Sequence, residues 1–118
     1  MKEGNVIQLK SYCFALRIIK FYNYLIKEKK EFVLSKQVLR SGTSIGANIE
    51  EVIGAQSKKY FFSKITIAYK EARETRYWIK LISDSDLVER KFLRSLIDDC
   101  EEICKIIGSI QKTIKNNL

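Results

Sequence analysis

Arg90–Lys115 reads RKFLRSLIDDCEEICKIIGSIQKTIK, and the placing of its apolar residues decides the fold. Leu93, Leu96, Ile97, Cys100, Ile103, Cys104, Ile107, Ile110 and Ile114 recur at steps of three and four. That is the period of an α-helix with one buried face; a strand would alternate at every second residue. A helix of this length is roughly 39 Å long, and its apolar stripe has to be covered by other helices.

Reading outward from it, Ser83-Asp84-Ser85-Asp86 forms a turn signal, with Asp86 and Glu89 spaced as a capping box for the segment that follows. Upstream, Lys58 to about Ile82 repeats the helical pattern in Phe61, Ile65, Ala68, Ala72, Thr75, Ile79 and Ile82, with Ser57 as its N-cap. A further segment runs from Ser35, read as an N-cap, to near Gly54, with Val38, Gly42, Ile45, Ile49 and Val52 as its stripe. The first runs from about Val6 to Lys30 and carries two apolar rows: Tyr12, Ala15, Ile19, Tyr22 and Ile26 beside Phe14, Ile18, Phe21 and Leu25. Four helical segments with three short links predict a single all-α domain over residues 1–118, an antiparallel up-down-up-down four-helix bundle.

Composition agrees and excludes much else. The chain of 118 residues is 46% apolar and 31% charged, which describes a packed globular domain. Five glycines and no proline leave too few turn residues for an all-β fold. The absence of histidine removes the Ser-His-Asp triad, histidine-ligated zinc and haem, and the Glu-x-x-His di-iron bundle. No apolar run reaches the roughly 18 residues of a membrane span, and Met1–Asn5 lack the apolar core of a signal peptide, so a cytoplasmic location with no membrane partner is expected. An odd cysteine count, three, fits the same reducing compartment.

The net charge of +8 is uneven. Residues 1–34 and residues 57–84 each carry seven Lys/Arg against three acids, and the rest of the chain is balanced. On the third helix Lys59, Ser63, Thr66, Lys70, Arg73, Tyr77 and Lys80 fall on one line opposite the core stripe. Cations, hydroxyls and an aromatic ring in one row are what a phosphate backbone with adjoining bases requires. Lys59, Lys70, Arg73, Tyr77 and Lys80, with Arg17 and Lys20 from the basic half of the first helix, are therefore the candidate nucleic-acid contacts. An ordinary solvated face is the competing reading. The third helix also has more apolar surface than one core needs. Phe62, Tyr69 and Trp78 flank its stripe and are candidates for contacts between subunits.

Gly42-Thr43-Ser44-Ile45-Gly46 superficially suggests a phosphate loop, but the Gly-Lys-Ser/Thr that completes one is missing and no strand precedes it. Two interior glycines each cost up to about 1 kcal/mol of helix propensity. Gly42 and Gly46 are therefore expected at a close helix contact, with Trp78 or a tyrosine of the first helix filling the space. Glu50, Glu51, Glu71 and Glu74 are conceivable metal or acid–base carboxylates, with ion pairing as the commoner use. Cys100 and Cys104, one turn apart on an apolar stripe, read as small buried hydrophobes rather than metal ligands. No catalytic residue, metal or cofactor is expected.

One stretch is specific. Ser35-Lys-Gln-Val-Leu-Arg-Ser-Gly-Thr-Ser-Ile-Gly-Ala-Asn-Ile-Glu-Glu51, then Gly54-Ala-Gln-Ser-Lys-Lys59, then Ile67-Ala-Tyr-Lys-Glu-Ala-Arg-Glu-Thr-Arg-Tyr-Trp78, resembles the 23S rRNA intervening-sequence protein family. The likeness extends to Tyr12-x-Phe14-Ala15 and to Leu96-x-x-Asp99-Cys100-Glu101-Glu102. That family comprises small bacterial four-helix bundles, some encoded within insertions in large-subunit rRNA genes. Its members resemble the accessory protein of diversity-generating retroelements, a basic pentameric bundle that works with a reverse transcriptase and nucleic acid. The resemblance implies a homopentameric ring, no catalytic residues, and RNA or DNA as partner. A scaffold that binds only proteins is the alternative.

Overall fold

The computed structural model describes residues 2–118, with side chains from Val6 onward; the side chains of Met1–Asn5, read above for a signal peptide, lie outside it. Four helices make up the chain: α1 (Lys2–Lys27), α2 (Leu34–Ile53), α3 (Lys58–Asp84) and α4 (Arg90–Asn116). A 27-residue helix is about 40 Å long, and the whole molecule measures 45 × 20 × 20 Å, so each short link must reverse the chain. Each helix packs on its neighbours in sequence, α4 closes back on α1, and the backbones of α1 and α3, and of α2 and α4, stand diagonally apart among the described residues. This is the expected antiparallel bundle.

The core runs the length of the molecule. Ile7, Phe14, Ile18 and Leu25 of α1 meet Val38, Ile45, Ile49 and Val52 of α2, Ile65, Ala68, Ala72, Ile79 and Ile82 of α3, and Leu93, Leu96, Cys100, Ile103 and Ile107 of α4. The neighbouring Cys104 sulfur, and after it burial, hold the Cys100 thiol in its neutral form, and with its Sγ donating to Ala72 O at 3.4 Å it packs as a hydrophobe. Cys104 is half-buried and Cys13 is exposed.

Only one of the two apolar rows of α1 enters this core. Phe14, Ile18 and Leu25 are buried, while Tyr12 and Ile19 of the other row are exposed. A bundle helix can bury only about three positions in seven, and the Phe14 row, joined by Ile7 and Ser11, already fills that share.

The links correct two expectations. Ser57 is the N-cap of α3, its Oγ accepting from Tyr60 N at 3.1 Å. Ser35 is not a cap. The α2 N-cap is Val33, which supplies no side-chain bond, and Ser35 lies inside the helix, fully buried, with its hydroxyl unpartnered. The capping is done from upstream: Glu31 Oε1 accepts from Val33 N at 3.0 Å and Ser35 N at 2.8 Å. Lys30, with φ 53°, makes the left-handed turn out of α1, and Glu31 N bonds back to Leu25 O at 3.0 Å, closing the end of the helix. The Asp86–Glu89 capping box does not form either. Asp86 occupies the left-handed region (φ 62°) as the turn residue after α3, Val88 is buried in the core, and the N-cap of α4 is Glu89, without a side-chain bond.

Gly42 and Gly46 do mark a close contact, but their neighbours are Ile18 and Ser11 of α1, not Trp78 or a tyrosine. Between α2 and α3, Thr75 Oγ1 donates to Ser41 Oγ at 2.9 Å inside the core. Arg40 reaches across to the buried carboxylate of Glu71 at 3.2 Å and also pairs with Glu74. These polar contacts fix the register of two helices whose apolar faces could otherwise slide.

Candidate nucleic-acid interface

The outward face of α3 is the one the periodicity predicts. Lys59, Ser63, Lys70, Arg73, Tyr77 and Lys80 are exposed along it. From Lys59 to Lys80 the rise is about 32 Å. Thr66 is half-buried, and its hydroxyl is used within the subunit: it donates to Phe62 O at 2.8 Å and accepts from Gln111 Nε2 at 3.2 Å. Arg73 Nη1 donates to the Tyr69 hydroxyl at 3.2 Å, with its guanidinium 5.7 Å from the centre of that ring.

The cations of this face stand in one row. Among the described residues no carboxylate lies within 4 Å of Lys59, Lys70, Arg73 or Lys80. Elsewhere Lys20, Lys27, Lys36, Lys58, Arg94 and Lys105 are likewise without a carboxylate partner among the described residues, and other cations are paired: Lys10 with Glu102, Arg40 with Glu71 and Glu74, Lys64 with Glu51, and Arg90 with Asp84. Arg17 is among them, bonded to Asp99 and, at 3.4 Å, to Ser95 O. Lys20 is exposed on α1, beside an apolar stripe rather than beside the α3 row. The structure thus gathers five of the seven candidate contacts on α3 and sets Arg17 and Lys20 on a different helix, diagonal to it.

The four carboxylates considered for chemistry are each engaged. Glu50 accepts from Gln8 at 2.8 Å, Glu51 pairs with Lys64 at 2.5 Å, Glu71 with Arg40, and Glu74 with Arg40 and with Trp78 Nε1 at 3.0 Å. Among the described residues no three Asp, Glu or Cys side chains converge as metal ligands would.

Phe62, Tyr69 and Trp78 are half-buried on the flanks of α3. Tyr69 and Trp78 pack against the subunit's own core, Tyr69 over Gly108 of α4, where a β-carbon would come 3.1 Å from its Cε1. The open apolar surface lies instead on α1. Leu9 (65% exposed), Tyr12 (62%), Leu16 (48%) and Ile19 (42%) follow one another at steps of three and four on the outward side. The sequence reading placed Tyr12 and Ile19 in one of the two apolar rows of this helix. Counting two full apolar rows on one helix, when only one fits inside a bundle, was the signal that pointed to this face.

The fold and its surfaces define a small four-helix bundle with a basic outward face on α3 and an apolar outward face on α1, diagonal to it; among the described residues no helix is long and apolar enough to cross a membrane. The chain belongs to the 23S rRNA-intervening sequence protein family, whose model matches residues 3–109. It is similar to a solved structure of a protein of unknown function from the S23 ribosomal protein family of Bacteroides thetaiotaomicron, with 49% identity, 93% of this chain and 98% of that chain covered, and a TM-score of 0.90. No curated protein matches it.

Proposed function

We propose that this chain is a non-enzymatic, self-associating helical bundle that binds RNA or DNA through the outward face of α3, without reading base sequence. The observation that carries this reading is the row of cations at Lys59, Lys70, Arg73 and Lys80. They are four exposed cations in one line on one helix face, none with a carboxylate partner among the described residues. Free cations release counterions when phosphates replace them, and that release is the main driving force of non-specific binding. Nothing on this face presents a rigid set of side chains to base edges, so contacts fall on the backbone.

Self-association is supported by Leu9, Tyr12, Leu16 and Ile19 on α1. Exposed apolar stripes of this kind mark docking surfaces on proteins that do not work alone. Because α1 and α3 are diagonal, an assembly built through α1 leaves every α3 face open to solvent. Five copies is the number that family resemblance implies, and a ring of them would hold one polyanion at several weak contacts at once. The same α1 stripe also favours a second reading, a protein scaffold without nucleic acid.

Binding of a labelled mixed-sequence RNA and DNA at low salt separates the two. Wild-type chain is expected to bind both, and Lys70→Glu with Arg73→Glu to abolish binding with helicity unchanged. A wild-type chain that binds neither polymer leaves the scaffold reading.

A further inference from the structure

We infer that the preferred ligand is single-stranded rather than duplex nucleic acid, its bases stacking on Tyr77 beside the free cations of α3; this rests on the nucleic-acid reading above. Two hollows on that side share the side chains of Arg73 and Arg76. One, of about 390 Å³, is lined further by Tyr69, Glu101, Cys104 and Lys105. The other, of about 350 Å³, is lined further by Tyr77, Lys80, Leu81 and Asp84. The first opens in the trough between α3 and α4, the second lies on α3 alone, and together they bring in Arg76 and Lys105, which do not belong to the α3 row.

The exposed aromatic ring carries the preference. Tyr77 is 58% exposed, and its ring is braced edge-on against Trp78, with centroids 5.1 Å apart and planes at 71°. An unpaired base can stack on such a ring, while bases inside a duplex cannot reach it. Arg73 and Lys80 line the same hollow as Tyr77, so cations for the phosphates stand beside the stacking surface. Tyr69 is not a second platform, because its ring packs over Gly108 with Arg73 against it.

The trough also holds a brake. Arg76 donates through Nε to Glu101 Oε1 at 3.1 Å, which spends part of its charge and sets a carboxylate beside the path of the phosphates. Removing that carboxylate charge would free Arg76 for a phosphate.

The test uses the full chain and one labelled sequence offered as single-stranded RNA, single-stranded DNA and duplex DNA, followed by fluorescence anisotropy at low salt. Both single strands are expected to bind at least about ten times more tightly than the duplex. Tyr77→Ala is expected to weaken single-strand binding by about 5- to 100-fold, with duplex affinity unchanged and Tyr77→Trp restoring the loss. Glu101→Gln is expected to strengthen single-strand binding several-fold. Equal affinity for duplex and single strands, or a Tyr77→Ala chain that binds single strands as well as wild type, overturns the inference while leaving the nucleic-acid reading in place. Failure of the wild-type chain to bind any of the three overturns both.

Discussion

A β-carbon at position 42 would lie 2.8 Å from both Cγ1 and Cγ2 of Ile18. Those atoms sit at the branch point of a fully buried side chain, so they cannot swing aside as the tip of a long side chain would. Gly42 is therefore what lets α1 and α2 approach. At Gly46 the nearest atom, Ser11 O, would be 3.4 Å from the added carbon, an ordinary van der Waals distance. Gly42→Ala is expected to lower stability by about 1–3 kcal/mol through overpacking, despite its gain in helix propensity. Gly46→Ala is expected to be neutral or to stabilise by up to about 1 kcal/mol. Urea unfolding of the two variants checks the pair, and equal effects would contradict this account of the contact.

Capping of α2 makes a similar contrast. Glu31→Ala removes the acceptor for the backbone N–H groups of Val33 and Ser35 and is expected to cost about 0.5–2 kcal/mol. Ser35→Ala removes a buried hydroxyl without a partner and is expected to cost nothing or to raise the melting temperature. Were Ser35 the cap, the second variant would be the damaging one.

Acid should weaken the α2–α3 contact. The Trp78 indole N–H, and after it the Arg40 guanidinium, hold the Glu74 carboxyl below the ordinary glutamate range. A carboxyl whose folded value is depressed adds stability above its unfolded value and loses it as the pH falls through the folded one. Unfolding midpoints should therefore drop as the pH is taken from about 7 to below the glutamate reference near 4.3. Trp78→Phe removes the first donor, so its midpoint should start lower and change less over the same range. A pH dependence as steep as wild type would show that the indole bond does not hold Glu74.

The apolar stripe of α1 makes assembly measurable. Light scattering of the wild-type chain at micromolar concentration should give a multiple of 13.8 kDa. Leu16→Glu, at a half-exposed position, should give a folded chain of the single-chain mass. It should also bind nucleic acid more weakly, because contacts on separate chains no longer act together. A wild-type mass of one chain would contradict self-association.

Most of the fold was legible in the residues. A period of 3.6 over four segments, short links and a chain without proline define the bundle, and they place the α3 row outward because Lys59, Lys70, Arg73 and Lys80 stand opposite Ile65, Ala72 and Ile79. What escaped were choices between equivalent local signals. Ser35 has the chemistry of an N-cap, but Glu31 lies within reach of the same N–H groups once Lys30 turns the chain. Asp86 suits both a cap and a left-handed turn, and burial of Val88 decides between them. Two apolar rows on α1 compete for one core, and only the packing of Ile18 against Gly42 shows which row enters it. The pairing of Arg17 with Asp99 and of Arg76 with Glu101 joins helices distant in sequence, and no spacing within one helix reveals it.

The central claim, that free cations on α3 hold a polyanion, is tested most directly by the salt dependence of binding in two charge reversals of equal size. Affinity for a single-stranded RNA is measured across a range of salt for wild type, for Lys70→Glu with Arg73→Glu on α3, and for Arg17→Glu with Lys20→Glu on α1. Wild type should lose affinity along a straight log–log line, with each phosphate contact adding about 0.7 to the slope. The α3 reversal should remove binding, and the α1 reversal should leave the slope within about one contact of wild type, because Arg17 is already paired with Asp99. Loss of binding in the α1 reversal with the α3 reversal unaffected would contradict the claim.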